Sequence, residues 1–244
     1  MIILETKRLE KHFDGVRAVD GLSIGIEEGK VTGIVGPNGS GKTTLINLLS
    51  GTLAIDSGAV IVDGVQKLEK INPWQISFYG ITRTFQDVRL FKQMTVLDNV
   101  LVILTERNVF SSLFEKHGIY HLKKAEEVLR RVGLWEKRNQ LAINLSYGQR
   151  KLLEIARALG TKAEIYLLDE PFAGLFPEMV KTVSMIIEGL KQSGKTIILI
   201  EHDMELIRKL CDYVFVMDEG RLLAEGEPEK VLAQKEVIEV YLGE

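Results

Sequence analysis

Gly36-Pro37-Asn38-Gly39-Ser40-Gly41-Lys42-Thr43 is the stretch of this 244-residue chain that decides its fold. It fits G-x-x-x-x-G-K-[ST], the pattern of the phosphate-binding P-loop. The apolar run Val31 to Val35 before it predicts a buried strand, and Thr44 to Leu49 after it predicts the start of a helix. Because a strand, a glycine-rich loop and a helix are the context that this motif requires, the sequence predicts a site for a nucleoside triphosphate.

Each part of the loop has a chemical reason for its position. Backbone N–H groups of a glycine-rich loop and a helix N-terminus surround phosphates with donors, and glycine lets the backbone approach closely. Lys42 is expected to reach the β and γ phosphates, and the Thr43 hydroxyl is expected to bind Mg²⁺. The residues predicted to contact the nucleotide here are Gly36, Asn38, Gly39, Ser40, Gly41, Lys42, Thr43 and Thr44.

The composition excludes several classes of protein. Lys and Arg number 31 against 34 Asp and Glu, so no basic excess points to nucleic acid. The sequence has no run of about 18 apolar residues that would predict a membrane span. Its first residues do not have the charge and hydropathy pattern of a secretory signal. The lone cysteine, Cys211, rules out an intramolecular disulfide and fits a reducing compartment.

The pattern along the chain predicts an α/β fold, a P-loop ATPase core with a mainly parallel sheet. Residues 2–34 are typical of strands and predict an N-terminal antiparallel β portion, and Asp63-Gly64 predicts a hairpin turn. Later strands alternate with helices, at Ile165 to Leu168, Thr196 to Ile200 and Val214 to Met217, and residues 228–241 predict one or two short helices. Residues 87–160 predict helices instead, among them the amphipathic stretch Lys123 to Val132. We expect a single domain over 1–244, with this helical subdomain of about 87–160 inserted in the core.

A second half of the nucleotide site follows an apolar strand. Ile165 to Leu168 lead directly into Asp169 and Glu170. In P-loop ATPases the acid at the end of this strand helps to hold Mg²⁺. An acid directly after it can act as the general base for the attacking water. With a P-loop upstream, we therefore predict Asp169 as a metal ligand and Glu170 as the catalytic base.

Two further polar residues follow strand-like runs. His202 comes after Thr196 to Ile200, a strand expected to lie parallel to the one that bears Asp169. Since parallel strands end at the same edge of a sheet, we expect His202 beside the γ phosphate. Gln86 follows the strand-like run Ile81 to Phe85. Its side-chain amide is a candidate to bind Mg²⁺ or to contact the attacking water. On the residues alone, a surface glutamine is the simpler interpretation of Gln86.

Taken in order along the chain, these motifs resemble the nucleotide-binding subunit of ATP-binding cassette (ABC) transporters. The discriminating piece matches the family signature L-S-x-G-Q before a predicted helix, Arg150 to Leu159. The resemblance implies that this stretch contacts ATP held by a second subunit, through Leu145, Ser146, Tyr147, Gly148 and Gln149. It also implies that Phe13 stacks on adenine, and a core phenylalanine is the alternative. Tyr147 departs from the commonest residue there, a glycine.

A finer resemblance is to the ATPases of branched-chain amino-acid importers. It is carried by Gly80 to Gln86, Val88 to Phe91, Leu145 to Gln149 and Tyr241 to Glu244. Urea importers and lipopolysaccharide-export ATPases are similar enough to remain open. Ala173-Gly174-Leu175-Phe176 departs from the family, in which this loop usually ends in a polar residue. The departure puts coupling between subunits in question, because Phe176 offers a second subunit no polar side chain.

The resemblance implies an ATPase motor subunit of a membrane importer, with ATP and Mg²⁺ as cofactors. Its implied partners are a second ABC ATPase subunit, identical or paralogous, and separate transmembrane permease subunits. Its implied location is cytoplasmic, peripheral on the inner face of the membrane, and no nucleic-acid partner is expected. The alternative is a soluble ABC ATPase acting on nucleic acid or the ribosome, although such proteins usually carry two cassettes or a long coiled coil. A simple nucleotide-binding enzyme such as a kinase would lack the signature.

Overall fold

The computed structural model describes residues 1–104 and 118–242, which divide into two compact units. The first unit contains residues 1–83, 164–170 and the described residues from 187 onward. The second contains the described residues of 84–163 together with 171–186. Gly243 and Glu244, which contribute to the finer resemblance, lie outside the described residues.

The elements are numbered along the described chain. The strands are β1 (Ile2–Phe13), β2 (Val16–Leu22), β3 (Gly25–Glu27), β4 (Val31–Val35), β5 (Ser57–Val62), β6 (Gln66–Leu68), β7 (Ile81–Arg83), β8 (Ile165–Asp169), β9 (Thr196–Ile200), β10 (Tyr213–Asp218) and β11 (Arg221–Gly226). The α-helices are α1 (Lys42–Leu49), α2 (Val96–Leu104), α3 (Gly118–Arg131), α4 (Tyr147–Gly160), α5 (Pro177–Gln192), α6 (Met204–Leu210), α7 (Pro228–Val231) and α8 (Lys235–Leu242). Short 3₁₀ helices occur at Pro73–Tyr79, Trp135–Lys137 and Ala142–Asn144.

A mainly parallel sheet forms the centre of the first unit. Within the described residues its strand order is β11-β10-β4-β9-β8-β7, and β11 alone among these strands is antiparallel to its neighbour. β4, β8 and β9 are buried along their whole length, as expected for apolar runs with both faces covered. Because these three strands run parallel, the residues that follow them meet at one edge of the sheet.

The helix that follows the P-loop is fixed against this sheet. Leu45, Leu48 and Leu49 of α1 are fully buried in one hydrophobic core with Ile34 of β4 and Phe215 of β10. Burial of side chains of this size contributes roughly 1.5–3 kcal/mol each relative to exposure. The packing therefore holds the N-terminus of α1 at the end of β4.

An antiparallel sheet of the first unit carries the N-terminal residues. Among the described strands its order is β2-β1-β5-β6, with β3 also paired to β1. The Asp63-Gly64 turn joins β5 to β6 with φ angles of 53° and 66°, which agrees with the predicted hairpin. Both the antiparallel N-terminal portion and the mainly parallel sheet are as predicted, and the α/β fold class is confirmed.

The second unit is helical over much of its described length. Its helices α2, α3 and α4 pack against one another. The predicted amphipathic stretch lies in α3, which buries Ala125, Val128 and Leu129. The helix ends at Arg131, one residue before Val132, which is nevertheless buried. Among the described residues, no helix is both long enough and apolar enough to span a membrane.

The strand predicted from Ile81 to Phe85 is shorter than expected. β7 ends at Arg83, which pairs with Leu167 of β8. Beyond it, the Phe85 N–H donates to the Glu154 carboxylate rather than to a neighbouring strand. A side-chain acceptor therefore replaces the backbone ladder, and the chain leaves the sheet before Gln86.

Candidate nucleotide-binding site

The P-loop has a backbone that only glycine fits well. Gly36, Gly39 and Gly41 have φ angles of 149°, 79° and 100°. A Cβ atom on Gly36 would lie 2.1 Å from the Met217 carbonyl oxygen, and one on Gly41 would lie 2.2 Å from that of Ala18. Around the ideal Cβ position of Gly39, by contrast, nothing lies within 4 Å. Gly36 and Gly41 therefore hold the loop against the fold, and Gly39 leaves its outer side open to a ligand.

Lys42 lies across the inside of this loop. Its Nζ donates to the carbonyl oxygens of Gly36 and Pro37 at 2.7 Å each, and the residue is only 5% exposed. Both acceptors are neutral carbonyl oxygens of the loop itself. Gly41, the N-cap of α1, offers no side chain to the first amides of the helix, and Thr43 is exposed next to them. A cation and open helix amides together suit a phosphate group.

Asp169, at the end of β8, is held by an arginine that sequence reasoning missed. Its Oδ2 accepts a hydrogen bond from Arg83 Nη2 at 2.8 Å, and the two side chains are 1% and 3% exposed. The other terminal nitrogen of Arg83 donates to Asn47 Oδ1 at 2.6 Å and Ser50 Oγ at 2.7 Å, at the end of α1. The signal in the sequence was a charged residue inside a predicted strand, because a charged side chain is rarely buried without a partner.

Glu170 and His202 meet at the edge of the same sheet. His202 Nε2 lies 2.9 Å from Glu170 Oε1, and the Glu170 side chain is 14% exposed. The expectation that β8 and β9 are parallel is confirmed, and the structure shows that they are neighbours, with Asp169 opposite Ile200. The Glu170 N–H donates to the Ile200 carbonyl at 3.0 Å, so both residues are set by the strand pair.

The backbone of Glu170 is strained. Its φ is +47°, in the left-handed region that a residue with a side chain rarely adopts. Such a conformation costs of order 1–3 kcal/mol and persists only where the surrounding structure enforces it. Here the parallel ladder holds the backbone on one side and His202 holds the carboxylate. The carboxylate is therefore fixed in direction, which a general base requires.

The stretch Leu145 to Gln149 forms a capping box at the start of α4. Ser146 Oγ accepts from the Gln149 N–H at 3.3 Å, and Gln149 Oε1 accepts from the Ser146 N–H at 3.1 Å. Leu145 is buried and Ser146 is exposed. Two signature positions thus have a local role in helix initiation that the sequence interpretation did not assign to them. As in any α-helix, the remaining amides of the first turn have no hydrogen-bond acceptor within the helix itself.

Gly148 and Tyr147 pack against the loop that departs from the family pattern. A Cβ on Gly148 would lie 2.5 Å from Met179 Sδ, so α4 and α5 approach too closely for a larger residue. A Cβ on Gly174 would lie 2.9 Å from the Tyr147 ring. Tyr147 therefore covers Gly174, and Phe176 beyond it is 74% exposed. The exposed Phe176 is available to a second chain, as an apolar group.

The other predicted site residues differ in their exposure. Phe13, at the end of β1, is 43% exposed with the Lys11 ammonium 5.5 Å from its ring centroid, so it is not a core residue. Asn38 is exposed and Ser40 is buried within the loop. Gln86 is exposed in the second unit, three residues beyond the end of β7.

Sequence reasoning also missed Glu154 in α4. Its carboxylate is buried, and burial raises its pKa to about 7, against the lowering effect of the backbone N–H groups of Arg89 and Phe85. The signal was an acid on the apolar face of a predicted helix, which is costly without a partner.

Comparison with known proteins agrees with this geometry. Residues 19–173 match the family model described as ABC transporter, and residues 221–244 match the one described as branched-chain amino acid ATP-binding cassette transporter. The chain is 38% identical over its whole length to the probable branched-chain amino acid transport ATP-binding protein LivG of Archaeoglobus fulgidus, of which 96% is covered. It is 39% identical over 99% of its length to the high-affinity LivG protein of Salmonella typhimurium, of which 98% is covered.

Solved structures give the same result. A nucleotide-free ATP-binding cassette from an ABC transporter superposes with a TM-score of 0.86 at 38% identity, over 100% of both chains. An ADP-bound cassette of an ABC transporter gives the same values. A dimeric cassette bound to ADP and phosphate gives a TM-score of 0.81 at 25% identity, over 93% of this chain and 99% of that one. The chain therefore belongs to the ABC transporter family, and it is an ATP-binding cassette ATPase.

Proposed function

We propose that this chain is the ATP-hydrolysing motor subunit of an importer for branched-chain amino acids. The observation that carries the choice of importer is the match of residues 221–244 to the branched-chain family model. The full-length similarity to proteins named as branched-chain amino acid transport ATP-binding proteins supports it. We regard residues 1–244 as one cassette domain, with the helical part at about 87–160 inserted into the α/β core.

ATP binding is assigned to the P-loop. Lys42, already held inside the loop by neutral carbonyls, would exchange them for phosphate oxygens, which bind an ammonium more strongly. Phe13, exposed at the end of β1, would stack on adenine. The remaining contacts are the residues predicted from sequence: Gly36, Asn38, Gly39, Ser40, Gly41, Thr43 and Thr44.

A magnesium ion fits the donor set. The Thr43 hydroxyl and the Asp169 carboxylate are hard oxygen ligands, which this ion prefers, and Gln86 is the third proposed ligand. Asp169 has one oxygen engaged by Arg83, which fixes the direction of the carboxylate. When bound, the ion would neutralise charge on the phosphates.

Hydrolysis needs one proton acceptor and stabilisation of charge. Glu170 takes the proton of the attacking water while the water oxygen bonds to the γ phosphorus. The bond from that phosphorus to the β–γ bridging oxygen breaks, which leaves ADP and phosphate. His202, 2.9 Å from Glu170, orients the base and stabilises the γ phosphate by hydrogen bonding.

The site is proposed to be completed by a second subunit. The open first turn of α4, at Ser146 and Gly148, is the anion-binding helix end that would face ATP held by the other chain. Closure on ATP and release after hydrolysis would move separate transmembrane permease subunits. The chain would then work as a peripheral protein on the cytoplasmic face of the membrane, and we expect no nucleic-acid partner.

Purification and reconstitution test this proposal. The tagged chain is isolated from detergent-solubilised membranes of its source, and its partners are identified by mass spectrometry. The recovered complex is then placed in liposomes that contain ATP. We expect permease subunits and uptake of labelled leucine, isoleucine or valine in the presence of the cognate binding protein. Recovery of ribosomes, or ATP-dependent transport of urea or lipopolysaccharide without amino-acid uptake, would contradict the proposal.

A further inference from the structure

The segment that carries Gln86 is anchored by side chains of the helix that begins at Ser146. Residues 84–91, all of them described, form neither helix nor strand, so their backbone groups need other partners. Glu154 Oε1 accepts from the Phe85 N–H at 3.3 Å and from the Arg89 N–H at 3.3 Å. One carboxylate oxygen therefore bridges the two amides that flank Gln86, Asp87 and Val88.

A second residue of α4 holds the same segment one turn further on. Arg157 Nη1 donates to the Arg89 carbonyl, and the Arg157 guanidinium lies 5.3 Å from the centroid of the Phe91 ring. Glu154 and Arg157 are three residues apart, so both project from one face of α4. The N–H and the C=O of Arg89 are thus both bonded to α4.

The far end of the segment is tied to α2. Asn99 Oδ1 accepts from the Phe91 N–H at 2.9 Å, and Asn99 Nδ2 donates to the Phe91 carbonyl at 3.0 Å. Asn99 is fully buried. Irregular backbone at both flanks of Gln86 is therefore bonded to helices of its own unit.

Packing alone does not explain a carboxylate at position 154. The residue is 6% exposed, and its neighbours Leu152, Leu153, Ile155 and Ala156 are buried apolar residues. Burying an acid there is costly, and a leucine of similar size would fill the space without that cost. What leucine cannot do is accept the hydrogen bonds that the Phe85 and Arg89 amides donate to Glu154.

We propose that Glu154 is the positioning residue for Gln86, and that it joins the Gln86 segment to α4 so that the two move as one body. Ser146 is the N-cap of α4 and belongs to the signature Leu145 to Gln149. Contact of that helix end with a nucleotide would therefore be transmitted through α4 to the backbone on both sides of Gln86. The inference rests on the proposed role of Gln86 in hydrolysis. It adds a physical connection between two motifs that are 60 residues apart in sequence, Gln86 and Ser146.

Three variants of Glu154 separate positioning from simple packing. Glu154→Gln keeps an acceptor oxygen at the same place, Glu154→Asp draws it back by one methylene, and Glu154→Leu removes it. We expect kcat for ATP to fall roughly tenfold or more in Glu154→Leu and Glu154→Asp, the scale of a misplaced contact. Glu154→Gln, which keeps the acceptor oxygen, should retain most of the wild-type kcat. ATP affinity, measured by calorimetry, should change less than twofold, because the P-loop is untouched.

A double-mutant cycle with Gln86→Ala is the decisive measurement. If Glu154 acts through Gln86, Glu154→Asp should cost little further kcat once Gln86→Ala is present. Hydrogen exchange at the amides of Phe85 and Arg89 should also accelerate in Glu154→Asp and stay slow in Glu154→Gln. Glu127→Ala, at an exposed position of α3, is the matched control and should behave as wild type.

The outcomes distinguish the proposed role of Gln86 in hydrolysis from the proposed role of Glu154 in positioning it. Normal kcat in Gln86→Ala alone would remove Gln86 from hydrolysis and so contradict that part of the proposed function. Impaired Gln86→Ala with additive losses in the double variant would overturn the inference alone. Unchanged exchange at Phe85 and Arg89 in Glu154→Asp would also overturn it. If Glu154→Leu does not fold, Glu154→Asp and Glu154→Gln still decide the question.

Discussion

His202 Nε2 lies 2.9 Å from Glu170 Oε1 at the edge where β8 and β9 end. The two residues are 32 positions apart in sequence, and the parallel pairing of their strands brings them together. Glu170 has a strained backbone with φ of +47°, so its carboxylate reaches His202 from a conformation that the fold enforces. This contact suits the roles proposed above, in which Glu170 activates water and His202 orients Glu170.

The first prediction concerns Glu170 as the general base. Glu170→Gln preserves the shape and the contact with His202 but removes the proton acceptor. Hydrolysis should slow by roughly a hundredfold or more. ATP affinity should persist, and the ATP-bound dimer should accumulate on a sizing column. Turnover close to wild type, measured by phosphate release at saturating ATP, would remove Glu170 from this role.

The second prediction concerns the buried ion pair of Arg83 and Asp169. Arg83→Met leaves the Asp169 carboxylate buried without its guanidinium, which should cost about 3–5 kcal/mol of unfolding free energy. The double variant Arg83→Met, Asp169→Leu should recover much of this loss, because no uncompensated charge remains. Chemical denaturation measures both, and Arg131→Met at an exposed position of α3 is the control. Additive losses in the double variant would argue against a coupled pair.

The third prediction tests whether the site is shared between two chains. Lys42→Ala removes the cation that is proposed to bind phosphate, and a Ser146 variant removes the proposed contact to the other chain's ATP. Ser146 also caps α4, so its replacement can destabilise the helix. Ser146→Gly is preferred to Ser146→Ala, because glycine at an N-cap lowers stability by only a few tenths of a kcal/mol. A mixed dimer of the two variants has one site with both groups intact.

Mixing the two inactive variants should therefore restore partial ATPase activity. The wild-type specific activity should also fall on dilution, because each site is proposed to need two chains. Activity is followed by phosphate release, with mixed dimers detected by two different tags. No gain on mixing, where mixed dimers are present, together with a dilution-independent wild type, would exclude a shared site for this chain alone.

The fourth prediction follows from the burial of Glu154. Burial raises its pKa from 4.5 to about 7, so the folded state keeps a proton that the unfolded state has lost between these pH values. Stability at this site is therefore greatest at low pH and falls as pH rises through the window from 4.5 to about 7. The total is on the order of 3 kcal/mol, and it is lost above pH 7.

Glu154→Gln removes this titration. Relative to wild type, the variant should gain stability as pH rises from about 5 to 8, measured as the difference in unfolding free energy at each pH. Glu127→Gln, which changes an exposed acid, should show a flat difference over the same range. A flat difference for Glu154→Gln as well would show that burial does not raise the pKa of Glu154 in the folded protein.

Local sequence patterns were sufficient for much of the fold and for the P-loop. Val31 to Val35, the glycines at 36, 39 and 41 and the helix after them are contiguous, so their geometry follows from short-range backbone preferences. The same holds for the Asp63-Gly64 hairpin and for the apolar runs that became β8 and β9. The placement of His202 at the same sheet edge as Asp169 and Glu170 was within reach of sequence because parallel strands end together.

Only the tertiary structure decided which charges are buried and what they hold. Arg83 pairs with Asp169 across 86 positions, and Glu154 bonds Phe85 and Arg89 across 69 and 65 positions. The early end of β7 at Arg83 also depends on a distant residue, because the Phe85 amide donates to the Glu154 carboxylate and not to a neighbouring strand. A buried polar group must find its partner wherever the packed chain brings one, and sequence spacing carries no record of that encounter.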